Sequence, residues 1–124
     1  MSKKIIVVDD SIVIRNEVAL ILSAAGYQVI EASNGHEGLR RLGDHADAAM
    51  VISDINMPEM NGIEMLTRIK ADAKHAALPI VMLTTEGNTE LMKQAKRAGA
   101  KAWIVKPFSG PMVIEAVQRF AGHP

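Results

Sequence analysis

Five short apolar runs, each separated from the next by a longer stretch of helical periodicity, constrain this chain more than any other feature. They are "KKIIVVDD" (3–10), "YQVIEAS" (27–33), "AAMVISD" (48–54), "PIVMLTT" (79–85) and "AWIVKP" (102–107). Runs rich in Val and Ile that do not alternate with polar residues are the mark of strands buried on both faces. The intervening segments carry helix punctuation. "SIVIRNEVALILSAAG" ends at Gly26, a C-cap; "NGHEGLRRLG" and "NGIEMLTRIKADA" open with Asn34/Glu37 and Asn61/Glu64 at capping-box spacing. "NTELMKQAKRAGA" stops near Gly99, and Ser109 caps a last helix whose Val113, Ala116, Val117 and Phe120 form one apolar stripe. Strands spaced by helices cannot pair as hairpins. The pattern therefore predicts an α/β fold with a parallel sheet, right-handed crossovers and helices on both faces. At 124 residues, with no linker, repeat or low-complexity segment, one domain over 1–124 is expected.

Composition removes several classes of partner. The chain is 48% apolar, enough for a packed core, and its formal net charge of zero provides no broad attraction to nucleic acid or to an anionic membrane. Without cysteine there is neither a disulfide framework nor thiolate chemistry, which suits a reducing compartment. The start, "MSKKIIVVDD", has too few apolar residues before its aspartates for a signal peptide or a membrane span. A cytoplasmic protein is expected.

In an open parallel sheet, sites form at the carboxyl ends of the strands near a topological switch point. Four of the five runs end there in polar residues: Asp9 and Asp10, Asp54, Thr84, and Lys106. Any one of these alone reads as a cap or a solvated loop residue. Together, in chain order at one edge, they read as a site. Three carboxylates in proximity repel one another, and at neutral pH they need a cation, a shared proton or a water-filled site. Mg²⁺ fits best, since it accepts one or two carboxylates with carbonyls and waters and typically serves phosphate chemistry. Lys106 supplies a mobile positive charge and Thr84 a hydroxyl donor, both suited to phosphoryl oxygens.

With "DD" at 9–10, "DINMPEMNG" at 54–62, "TT" at 84–85 and "KPF" at 106–108, the chain resembles the response-regulator receiver family over essentially its whole length. Within that family it is similar to the single-domain CheY-like chemotaxis type, because no output domain is expected. The resemblance implies a five-stranded doubly wound sheet of order 2-1-3-4-5 with five helices. It implies a regulator rather than an enzyme, one that accepts a phosphoryl group on Asp54 from a histidine kinase or phosphotransfer protein and assists its own phosphorylation and dephosphorylation. It further implies that Asp10 and Asp54 ligate Mg²⁺ directly, Asp9 through water, and Asn56 through its backbone carbonyl. On the same terms Lys106 contacts the phosphoryl group and the bond to Pro107 is cis, an isomer accessible because the residue is proline. Asn56 and Glu86, each two residues beyond a site residue, are the positions where the family tunes phosphoryl lifetime. The resemblance also implies that Thr84 and Trp103 are the switch pair, although the family commonly has Tyr or Phe where Trp103 stands, and an indole is bulkier with an N–H to satisfy.

Weaker features complete the reading. Ile12, Val13 and Ile14 sweep about 200° around a helix, so at least one faces outward and, with Pro107 and Phe108, suggests a kinase docking patch. Lys93, Lys96, Arg97 and Lys101 make a locally basic patch suited to an acidic, amphipathic output segment such as a flagellar motor switch protein. His36, His45, His75 and His123 lack ligand spacing and are expected on the surface, and a monomer is expected. Three alternatives differ in kind. An aspartyl-phosphate phosphatase or phosphotransferase needs a cap or pocket for which the chain has little room. A nucleotide or flavin module needs a glycine-rich loop after the first strand, where this chain has Asp9 and Asp10. A phosphorylation-independent adaptor of receiver fold usually lacks one of the acids or the lysine, all of which are present here.

Overall fold

The computed structural model describes residues 2–85 and 89–124, so Glu86, one of the two expected lifetime positions, lies outside the described residues. The elements alternate throughout: β1 (Lys4–Val8), α1 (Ile12–Ala24), β2 (Gln28–Ala32), α2 (Gly35–Asp44), β3 (Met50–Asp54), α3 (Gly62–Ala71), β4 (Ile80–Thr85), α4 (Thr89–Ala98), β5 (Ala102–Lys106) and α5 (Gly110–Ala121). The sheet is parallel with strand order β2-β1-β3-β4-β5. The chain moves from β1 outward to β2 and then back past β1 to β3. This reversal makes the junction between β1 and β3 the switch point of the sheet.

Side chains leave the strands alternately to two faces, and each face has its own core. On one, Ile6, Val51, Ile80 and Met82 pack with Leu42 of α2, Met65, Leu66 and Ile69 of α3, and Ala95 of α4. On the other, Ile5, Val7, Ile52, Val81 and Leu83 pack with Val18 and Leu22 of α1 and Val113 and Val117 of α5. Side chains as fully buried as Ile5, Ile6, Leu22, Ile52 and Leu66 each contribute about 1.5–3 kcal/mol of transfer free energy. The sheet is therefore a rigid platform, and its strand ends hold fixed positions.

The helix starts follow their punctuation with small differences. Ser11, Asn34, Asn61 and Ser109 each accept a hydrogen bond from the backbone N–H three residues on. The return half of the capping box differs in detail: Glu37 accepts from the backbone N–H of Ser33, one residue before the cap, whereas Glu64 lies 3.9 Å from Arg68. Gly26 and Gly99 have φ of 100° and 114°, the left-handed conformation that ends a helix at low cost. The expected run of α3 through Ala73 is shorter in the structure. The helix stops at Ala71, and Asp72 caps a 3₁₀ turn over Ala73–His75 by accepting from Lys74 N. That turn corrects the reading of His75 as a surface residue. It folds the imidazole into a recess beside Leu39, Leu42 and Ile69, where His75 is buried and its Nε2 has no hydrogen-bond partner among the described residues. His36 and His123 are exposed, and His45 is half-buried. No described helix is long and apolar enough to cross a membrane.

Candidate functional site

Because the strands are parallel, Val8, Asp54, Thr85 and Lys106 end at the same edge of the sheet. Asp9 and Asp10 follow β1, Asp54 closes β3, Thr84 and Thr85 close β4, and Lys106 closes β5 in register with Thr85. The structure brings the three acids together: Asp9, Asp10 and Asp54 present carboxylate oxygens within 4.8 Å of one another. Lys106 Nζ lies 3.2 Å from Asp54 Oδ1 and 3.5 Å from Asp9 Oδ2. Asp9 is fully buried and Asp54 nearly so, while Asp10 opens to solvent.

Asp9 is fixed on all sides. Its N–H donates to Ala32 O at 3.1 Å, and its Oδ1 accepts from Ser11 N at 2.8 Å. Its carbonyl accepts from Arg15 Nη1 at 2.7 Å. Asp9 Oδ2 is the exception, a buried oxygen to which no described residue donates a hydrogen bond. Asp54 is fixed through its backbone. Its carbonyl accepts from Ser53 Oγ at 2.9 Å, and Gly62 at the start of α3 packs directly onto that carbonyl. A Cβ at position 62 would overlap the Asp54 oxygen and approach Met82 Cε to 2.9 Å, so this contact requires glycine. The turn that leads there is held by Gly62 N donating to Ile55 O at 2.8 Å, and by Glu59 in a left-handed conformation with φ 67°. Met57 and Met60 anchor the turn in the core and leave Asn56 exposed at its tip.

The electrostatics follow from this packing. Burial pushes the Asp54 carboxyl above its ordinary value, the neighbouring Asp9 charge pushes it further, and Lys106 opposes both. Burial likewise raises Asp9, against the Ser11 hydrogen bond and Lys106. Three acids paired with Lys106 alone among the described side chains leave an excess of negative charge at a strand edge where two of the acids are buried. A hard divalent cation relieves this state, and Asp9 Oδ2, which has Lys106 Nζ at 3.5 Å but accepts no hydrogen bond from a described residue, is an oxygen available to it or to a water on it. The donor set fits Mg²⁺.

The remaining sequence candidates separate into those near the site and those at its periphery. Thr84 is buried, with its Oγ1 donating to Thr85 O at 3.4 Å. Met82 and Thr84 pair with Trp103 and Val105, so by strand alternation Thr84 and Trp103 lie on one face of the sheet. Trp103 is half-buried beside Thr89, Met92, Lys93 and Lys96 of α4. The Lys106–Pro107 peptide is cis. Of the suggested docking residues, Ile12 and Val13 are both exposed, at 61% and 70%, and Pro107 is exposed as well. Ile14 and Phe108 pack against the core and leave that patch. In the basic patch Lys93, Lys96 and Lys101 are exposed, whereas Arg97 lies 3.9 Å from Glu90.

Two residues of the site were not singled out from the sequence. Gly62 follows a cap asparagine and reads there as ordinary turn chemistry. Arg15 carried a usable signal, because a cation in the first turn of a helix opposes the helix dipole and calls for a specific partner.

A buried carboxylate at the end of the third strand, two acids after the first and a lysine at the end of the fifth define a class of phosphoacceptor module. The chain belongs to the response regulator receiver domain family, which matches residues 5–118. It is 38% identical over 120 residues to chemotaxis protein CheY1 of Helicobacter pylori, covering 96% of this chain and 97% of that one. It is also 38% identical to a chemotaxis protein CheY homolog of Campylobacter jejuni, covering 96% of this chain and 92% of that one. Among solved structures, chemotaxis protein CheY4 of Vibrio cholerae superposes with a TM-score of 0.91 at 38% identity, covering 97% and 99% of the two chains. This protein is thus a receiver-type response regulator of two-component phosphorelay signalling.

Proposed function

We propose that residues 1–124 act as one cytoplasmic receiver unit that takes a phosphoryl group onto Asp54 and passes the change to an output partner in chemotaxis. The observation that carries this reading is the convergence of Asp9, Asp10 and Asp54 around Lys106 at one strand edge. The chemotaxis assignment is supported by similarity to relatives named as chemotaxis proteins over nearly their whole length.

Asp54 is the nucleophile. One of its oxygens attacks the phosphorus of a kinase phosphohistidine; the new O–P bond forms as the N–P bond breaks, and the electron pair and a proton stay with the leaving imidazole. Lys106, already 3.2 Å from Asp54 Oδ1, follows the transferred oxygens and neutralises part of their charge. Asp9, Asp10, Asp54 and the Asn56 carbonyl are the groups that would hold Mg²⁺, which when bound draws charge from the phosphoryl oxygens. Water later cleaves the acyl phosphate and returns the carboxylate. Exposed Asn56 borders the route of that water and tunes the lifetime. Catalysis of this kind consists of positioning and charge, so the protein assists the transfer without turning over a separate substrate.

Thr84 and Trp103 transmit the change. The added phosphoryl charge, about −1.5 to −2, draws the Thr84 hydroxyl toward the site, and Trp103 on the same sheet face repacks against α4. The surface altered is that of Lys93, Lys96 and Lys101, which suits an acidic amphipathic segment of a flagellar motor switch protein bound to a monomeric regulator. The test is phosphotransfer from a panel of phosphorylated histidine kinases. A strong kinetic preference for a chemotaxis kinase, lost in Asp54→Asn, supports the reading; preference for a kinase of another pathway overturns the chemotaxis assignment.

A further inference from the structure

We propose that Arg15 is a positioning residue for cation binding, acting by clamping the peptide that joins Asp9 to Asp10. The Arg15 side chain is half-buried, at 15% exposure, in the first turn of α1, where the helix dipole disfavours a cation. Two partners hold it there. Nη1 donates to the Asp9 carbonyl oxygen at 2.7 Å, and Nε donates to Glu31 Oε1 on β2 at 3.2 Å. The carbonyl it holds belongs to the peptide plane between the two acids. Fixing that plane sets ψ of Asp9 and φ of Asp10, and with them the directions of both carboxylates. Asp9 has further restraints in Ala32 O and Ser11 N. Asp10 is exposed and takes its direction from the backbone that carries it.

Arg15 therefore does for Asp10 what packing does for Asp9, and Glu31 keeps the planar fork aligned with the carbonyl. Lysine at 15 would keep a charge and a donor while losing the second directed N–H. This role rests on the reading of Asp9 and Asp10 as cation-holding groups, and it extends that reading to a residue with no contact to the cation.

The experiment uses Mg²⁺ alone, titrated calorimetrically into the wild type, Arg15→Met, Arg15→Lys and Glu31→Gln, with thermal unfolding measured in parallel. Arg15→Met is expected to weaken Mg²⁺ binding roughly 10-fold, the usual cost of deleting a hydrogen bond behind a metal ligand, with Arg15→Lys and Glu31→Gln between it and the wild type. The rate of phosphorylation by acetyl phosphate should fall at limiting Mg²⁺ and return at saturating Mg²⁺. A purely structural role would lower the melting temperature while leaving the Mg²⁺ affinity of the folded protein unchanged, and that result overturns the proposal. Should Arg15→Met fail to fold, Arg15→Lys and Glu31→Gln together decide it: wild-type Mg²⁺ affinity in both variants contradicts the clamp. A wild type that binds no Mg²⁺ overturns both this role and the cation reading beneath it, whereas tight wild-type binding with unchanged variants overturns the role of Arg15 alone.

Discussion

Lys106 Nζ stands 3.2 Å from Asp54 Oδ1 and within 3.5 Å of Asp9 Oδ2, so a single side chain from the last strand partly neutralises acids from the first and third. The lysine and an incoming divalent cation therefore draw on the same negative charge. Replacing it, as in Lys106→Met, removes the competitor and should tighten Mg²⁺ binding by about 1 kcal/mol, roughly fivefold, while slowing phosphorylation because the transferred oxygens lose their countercharge. Calorimetry beside acetyl phosphate kinetics measures both. Weaker Mg²⁺ binding in the variant would show that Lys106 organises the acids instead of competing for them.

Asp54 and Asp9 both have carboxyls raised above their ordinary value of 3.8, chiefly by burial. An acid raised in the folded state favours folding while protonated; its contribution is full below the unfolded value and is lost as pH rises through the folded one. Without divalent cations, stability should therefore fall as pH rises from about 4 toward neutrality as these groups ionise. Asp54→Asn should reduce that fall and be the more stable protein at pH 7, as read by thermal melting across pH. Added Mg²⁺ should stabilise the wild type more than the variant. A variant less stable than the wild type at neutral pH would contradict the electrostatic account of the pocket.

Gly62 meets the Asp54 carbonyl so closely that a methyl group cannot fit without moving β3 or α3. Gly62→Ala should cost about 1–3 kcal/mol through overpacking and should also displace the acceptor carboxylate. Urea unfolding with an unchanged slope and a lower midpoint is the expected signature, accompanied by slower phosphorylation. Wild-type stability would mean that the turn relaxes freely and does not hold Asp54.

Thr84 is buried behind the site and shares a sheet face with Trp103. Thr84→Ala should leave phosphate uptake largely intact. It should shrink the ratio by which activation tightens partner binding, a ratio of roughly 5- to 150-fold for an ordinary allosteric coupling. Affinity for an acidic amphipathic partner peptide, with and without beryllofluoride, measures it, and Trp103 fluorescence reports the rearrangement. An equal ratio in the two proteins would remove the hydroxyl from the signal path.

Strand order, helix placement and the positions of Asp9, Asp10, Asp54, Thr84 and Lys106 were legible because they depend on the succession of runs and on which end of a parallel strand a residue occupies. The supports of the site were harder to read. Arg15 reaches Glu31 across two elements, a distance that no periodicity encodes, and Gly62 acts through an approach between β3 and α3 that exists only after folding. Of Ile12, Val13 and Ile14, the first two face outward, as a sweep of about 200° requires of at least one, whereas Phe108, expected beside them in the docking patch, packs against the core that α1 and α5 form with the sheet. His75 was misread for a related reason, since a one-turn 3₁₀ segment carries no hydrophobic repeat to mark its buried side.

The central claim is that Asp54 is the phosphoacceptor and that its chemistry depends on a divalent cation held by the acids around it. Intact-mass spectrometry after incubation with acetyl phosphate, with Mg²⁺ and with EDTA, on the wild type and Asp54→Asn tests it most directly. The wild type with Mg²⁺ should gain one phosphoryl group that hydroxylamine removes, and both the variant and the EDTA sample should gain none. An Asp54→Asn protein labelled as fully as the wild type would place the acceptor elsewhere and contradict the account.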